Sequence, residues 1–172
     1  MFFLVPLGII ALVGAFRFSS EVAKIPNSAE ASDLVDGLLR NTYHAFDYRD
    51  EEDIYEVLGE SIDDFLLEDI YLEVRKGLEL ENQGGPRVRI EGLNLRSCEI
   101  EEYNEDSGHF LVLCEWDAVG NVSHWGHTHI RDNRYKAILQ IKATDSQQWK
   151  IAKIRIEDEK RNSITQKNKT GA

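Results

Sequence analysis

The stretch that decides the fold is His127–Ala143, HTHIRDNRYKAILQIKA. Side chains on a strand alternate between its two faces. One face here carries His127, His129, Arg131, Asn133, Tyr135, Ala137, Leu139 and Ile141. The other carries Thr128, Ile130, Asp132, Arg134, Lys136, Ile138, Gln140 and Lys142 and is mostly polar. The apolar end of the first face must point into a core. The same register then sends two histidines, an arginine and an asparagine toward that interior, which costs free energy unless they are paired or line a cavity. The expectation is a polar pocket lined by His127, His129, Arg131, Asn133 and Tyr135.

The β pattern extends to both sides. Strands are predicted over Arg87 to Glu101, Phe110 to Val122, His127 to Ala143 and Trp149 to Glu157, with a turn at Thr144 to Gln148. The first is irregular: Val88 and Ile90 share one parity, Leu93 and Leu95 the other, and Cys98 and Ile100 switch back, which calls for bulges or a bend. The polar run Asn104 to Gly108 reads as a hairpin turn. Its register sets Tyr103 opposite His109, Ile100 opposite Val112 and Cys98 opposite Cys114. Two cysteines exclude a disulfide-rich scaffold and a zinc ribbon. A cross-strand disulfide and a pair of small buried thiols both stay open.

Before Pro86 the spacing is helical. Pro26-Asn27-Ser28 breaks the chain and offers a cap, after which Leu34, Val35, Leu38, Leu39, Thr42 and Phe46 recur on one face. A second helix starts at Asp50, where Glu51, Glu52 and Asp53 suit the positive end of the macrodipole. A third runs from about Ser61 to Leu80 and stops at Gly84-Gly85-Pro86. Helices followed by a β meander give an α+β domain, with N-terminal helices packed on a mostly antiparallel sheet. The expected organisation is a hydrophobic segment over 1–18, a linker over 19–27, the domain over 28–161 and a polar tail over 162–172.

The chain of 172 residues carries a formal net charge of -11 from 31 acidic and 20 basic residues. This disfavours nucleic acid, whose phosphates need a basic stripe. The basic tail from Lys160 to Lys169 reads as solvated. Phe2 to Phe16 has no charged side chain. A helix from Phe2 to Phe18 would reach about 25 Å, against a hydrocarbon core of about 30 Å. A single-pass membrane anchor is expected, with Arg17 and Lys24 favouring a cytoplasmic domain. The competitor is a signal peptide ending at Val13-Gly14-Ala15, which would make the domain secreted or periplasmic. A start inside a longer membrane protein is a third reading.

Two segments resemble the NTF2-like (cystatin-like, SnoaL-like) superfamily. Residues 43–58, YHAFDYRDEEDIYEVL, are similar to the junction where an aromatic-rich helix ends, an Asp follows and a short helix begins. Residues 135–156, YKAILQIKATDSQQWKIAKIRI, resemble the closing hairpin, with Trp149 opening the last strand. The chain departs from the group in leaving no room for a strand or hairpin between the second and third helices. The resemblance implies N-terminal helices packed on a curved sheet wrapped around a long helix, a cone with an internal pocket, and a homodimer through the sheet face; the hydrophobic leader suggests instead a partner in a membrane complex. Ketosteroid-isomerase-like enzymes, polyketide cyclases, dehydratases and non-catalytic domains all belong to it, so membership fixes no function.

Three site chemistries are compatible with these residues. The first is binding of a small ligand or partner protein, without catalysis. The second is an isomerase, cyclase or dehydratase type of enzyme using His127 or His129 as acid–base, with Arg131 holding an anion; Tyr43, Asp47 and Asp50 at the helix junction are further candidates there, although Asp50 is also explained as a helix cap. The third is a metal site on His124, His127 and His129, which lacks a firm fourth ligand because Asp132 faces the other way. No metal and no cofactor are expected. The plain structural alternative is a satisfied polar network in which Arg131 pairs with Glu68, Asp69 or Glu73 and Trp116 serves packing.

Overall fold

A computed structural model describes residues 23–104, 108–124 and 127–162, with the side chain of His124 excepted. The expected anchor over 1–18, the tip of the 104–108 turn, Trp125-Gly126 and nearly all of the tail lie outside the described residues. Among the described residues no helix is long and apolar enough to cross a membrane.

Among the described residues three α-helices precede a four-stranded sheet, which gives the α+β class. Helix α1 spans Ser28–His44. It opens with a capping box: the Asn27 side chain accepts from the N–H groups of Ala29 and Glu30 at 3.0 and 3.1 Å, and Glu30 accepts from the Asn27 N–H at 2.9 Å. A 3-10 turn over Ala45–Asp47 follows. Helix α2 spans Glu51–Ser61 and is capped by Asp50, whose carboxylate accepts from the Glu52 N–H at 3.0 Å. Helix α3 spans Asp64–Asn82 and closes at Gly84, whose φ of 84° suits glycine.

The start of α3 corrects the expected Ser61. Ile62 leaves the helical path to form a parallel bridge with Ile151, and the Asp63 N–H donates to the Ile151 carbonyl at 3.0 Å. This long-range bond uses the backbone that local periodicity assigns to the helix.

The strands are β1 (Arg87–Asn104), β2 (His109–His124), β3 (His127–Ala143) and β4 (Trp149–Asn162). They form an antiparallel meander in the order β1-β2-β3-β4. Strand β1 slips against β2 at Ile90/Gly92, Leu95/Ser97 and Ile100/Glu102. Each irregularity adds one residue on β1. That is why Ile90, Leu93, Leu95, Cys98 and Ile100 change parity yet lie opposite Gly120, Ala118, Trp116, Cys114 and Val112 in turn. The last slip also moves Tyr103 from the expected His109 to Phe110, while Cys98–Cys114 and Ile100–Val112 pair as expected. Where β1 crosses β2, a Cβ on Gly120 would stand 2.8 Å from the Arg89 carbonyl oxygen.

The core lies between the helices and one face of the sheet. It buries Val35, Leu38 and Leu39 of α1, Ile54 and Leu58 of α2, and Leu67 and Val74 of α3. Against them lie Phe110, Val112, Cys114 and Trp116 of β2, Ala137, Leu139 and Ile141 of β3, and Ile151 of β4. Each large aliphatic side chain buried here contributes about 1.5–3 kcal/mol. Among the described residues the opposite face carries no helix. There Asp117, 8% exposed, accepts from Arg96 at 2.9 Å and Arg134 at 2.8 Å.

Candidate functional site

The core does not fill the space between α1, α3 and the sheet. A hollow of about 720 Å³ remains, within the range of small-molecule sites. Its walls are Leu39, Tyr43 and Phe46 from α1 and the 3-10 turn, Ile70, Val74 and Leu78 from α3, and Trp116, Ala118 and Ile154 from the sheet. Tyr43 follows Leu39 by one helical turn and so shares its inward face. The hollow opens between the end of α3 and the sheet, where Leu80, Val88 and Ile156 are 49%, 41% and 49% exposed. Asp69, Glu73, Glu81 and Arg49 are the charged residues that the helical part adds to the lining. Arg49 is held in place, donating to the carbonyls of Phe46 and Tyr48 at 2.9 and 2.7 Å.

Strand β3 brings Arg131, Asn133 and Tyr135 to the hollow, as its parity requires. Asn133 is buried and Tyr135 half-buried, whereas Arg131 is exposed at the mouth. His127 and His129, expected in the pocket with them, are exposed and are not among the residues that line this hollow. The reason is one of length. The 17 residues of β3 extend about 56 Å at about 3.3 Å per residue, while the 17 and 19 residues of α1 and α3 cover only about 26 and 28 Å. The described helices are too short to cover the strand from end to end, and its histidine end is exposed.

A polar cluster forms one wall. The Trp116 Nε1–H donates to the Tyr43 hydroxyl at 3.0 Å, and the indole stacks on Tyr135 with ring centroids 5.5 Å apart. Asn133 Nδ2 donates to the Tyr135 hydroxyl at 3.0 Å and to Glu159 Oε1 at 3.1 Å. A carboxylate only accepts, so this pair fixes the amide orientation. Asn133 Oδ1 is left buried without a hydrogen-bond partner. From Asn133 the bonds run to Glu159 of β4, while Trp116 joins the cluster to Tyr43 of α1. Burial pushes the Tyr43 phenol up to about 12. Tyr135 is likewise raised by burial. Both hydroxyls are therefore neutral at physiological pH and can donate as well as accept.

Tyr43 belongs to this cluster, and Trp116 is a hydrogen-bonding wall as well as a packing residue. Asp50 is the cap of α2, and Asp47 lies outside the lining. Glu159 escaped the sequence reading because a bulge in β4 sets it beside Tyr135. Among the described residues no three His, Cys, Asp or Glu side chains are grouped to hold a metal ion. The arrangement offers a large apolar surface with a few convergent neutral hydrogen-bonding groups, a combination suited to holding a molecule. No protein-family model matches the chain, and neither does any curated protein.

Proposed function

We propose that the domain binds a small, largely apolar molecule in the hollow between its helices and sheet, as a non-catalytic module of NTF2-like type tethered to a membrane by residues 1–18. The observation that carries the binding reading is the hollow of about 720 Å³, walled by apolar side chains and bordered by the Tyr43–Trp116 and Tyr135–Asn133 pairs. The NTF2-like reading draws on the two resembling segments and on helices stacked over a bulged antiparallel meander. The tether draws on the uncharged run Phe2 to Phe16. The acid–base reading on His127 or His129 with Arg131 loses support, because neither ring borders the hollow.

Binding is tested with N-phenyl-1-naphthylamine, a neutral fluorophore that brightens in apolar surroundings. Saturable brightening with one site per chain is expected. Gly77 lines the hollow, and a Cβ there meets nothing within 4 Å. Gly77→Phe should therefore fill the space and abolish the signal, while Gly77→Ala keeps it. Non-saturable brightening, or brightening that Gly77→Phe leaves intact, would overturn the reading.

A further inference from the structure

Cys98 and Cys114 are the two cysteines of the chain. They lie directly opposite each other on β1 and β2, with sulfurs 3.1 Å apart, closer than van der Waals contact of two sulfur atoms. Two cysteines scattered at random over the sequence would seldom meet in this way. Directly opposed residues of an antiparallel pair have Cα atoms about 4.5–5.5 Å apart, inside the range of about 4.4–6.8 Å that disulfides span. A disulfide of about 2.05 Å needs the sulfurs to close by only about 1 Å, within reach of small side-chain rotations. The backbone is held in register by the pairs on both sides, Glu99 opposite Leu113 and Ser97 opposite Glu115.

We propose that Cys98 and Cys114 are a thiol–disulfide exchange pair, reduced in the form described here, that a low-molecular-weight disulfide converts to a cross-strand disulfide. The two sulfurs have unequal roles. Cys98 is half-buried and Cys114 fully buried, so an incoming reagent reaches Cys98 first. The Cys114 S–H donates to the Cys98 sulfur, which holds Cys98 below the usual thiol range. The same bond, together with burial, holds Cys114 above it. Cys98 is thus the attacking thiolate and Cys114 the resolving thiol.

In the first step the Cys98 thiolate bonds to one sulfur of the reagent, breaks its S–S bond and releases one thiolate, which takes up a proton. In the second, Cys114 gives up its proton and bonds to the Cys98 sulfur, expelling the second small thiol. Two electrons and two protons pass from the pair to the reagent, which ends as two thiols.

The test is incubation of the full chain, purified reduced, with glutathione disulfide, followed by intact mass and thiol counting. Both thiols should disappear together, with a mass loss of two hydrogen atoms and neither a glutathione adduct nor a disulfide-linked dimer. The oxidised form should melt about 5–10 °C higher, as a cross-link closing a loop of this size implies. Cys114→Ser should stop at a Cys98–glutathione adduct, and Cys98→Ser should leave Cys114 unreacted. A stable adduct on the unmutated chain, or two thiols that persist after prolonged incubation, would overturn the proposal.

Discussion

Asp117 shows how a single side chain ties together the face of the sheet turned away from the core. Its carboxylate lies between two guanidinium groups from neighbouring strands, and the hydrogen bond from Arg134, with that from Arg96, holds it below the usual carboxylate range. Both arginines are partly exposed, with side chains 44% and 33% accessible, so solvent screens much of the attraction. Asp117→Asn should lower unfolding free energy by about 1–2 kcal/mol at neutral pH, measured by urea denaturation. The sign with pH follows from the lowered folded-state value. The carboxylate's contribution is complete above the unfolded value of about 3.9 and is lost as pH falls through the lower folded value. The gap between the two proteins should therefore stay constant from about pH 8 to pH 5 and close only under acid conditions. A gap that closes already near pH 6 would mean that the arginines do not stabilise the charged form.

At the scale of elements, glycine distinguishes two kinds of space. Gly77 sits inside α3 facing the hollow, and a Cβ there meets nothing within 4 Å. Gly77→Ala should raise stability by about 1 kcal/mol through helix propensity alone. At Gly120 a Cβ would collide with the Arg89 backbone oxygen, which cannot move without disturbing β1 beside its first slip. Gly120→Ala should cost about 1–3 kcal/mol. Urea midpoints that move in opposite directions for the two variants, with unchanged slopes, would agree with this; a stabilised Gly120→Ala protein would not. The parity switches of β1 were legible in the sequence because each bulge leaves its mark in the hydrophobic pattern. Asn27 and Asp50 were legible as caps because capping is local. The break at Ile62 was not, since its cause is Ile151, on the last strand. Strand parity in β3 puts Arg131, Asn133 and Tyr135 on one face, and all three line the hollow. It could not show that the helices stop short of His127 and His129, because the extent of cover depends on how separate elements superpose.

At the scale of the molecule, charge is divided unevenly between the layers. Ser28–Asn82, the helical part, holds 17 acidic and four basic residues, whereas residues 83–172 hold 13 acidic and 14 basic. Some of the helical charge is relieved locally: Asp36 pairs with Arg40 at 2.6 Å, and Arg75 lies 3.3 Å from Glu51 and 3.6 Å from Glu79. Such exposed pairs each contribute little, about 0–1 kcal/mol. Most of the helical carboxylates have no cation within the same layer, and their mutual repulsion favours the expanded chain. At low salt this repulsion acts across the whole layer, since the Debye length is about 30 Å at 0.01 M and about 10 Å at 0.1 M. Added sodium chloride screens both the repulsion and the surface pairs, and the two effects have opposite signs. With 17 acidic residues against four basic ones, repulsion is the larger. Thermal melting midpoints should therefore rise between 0.01 M and about 0.2 M salt, and the rise should shrink when helical carboxylates outside the ion pairs, such as Glu56 and Glu60, are replaced by Gln. A midpoint that falls with salt would show instead that the ion pairs outweigh the excess charge they sit in.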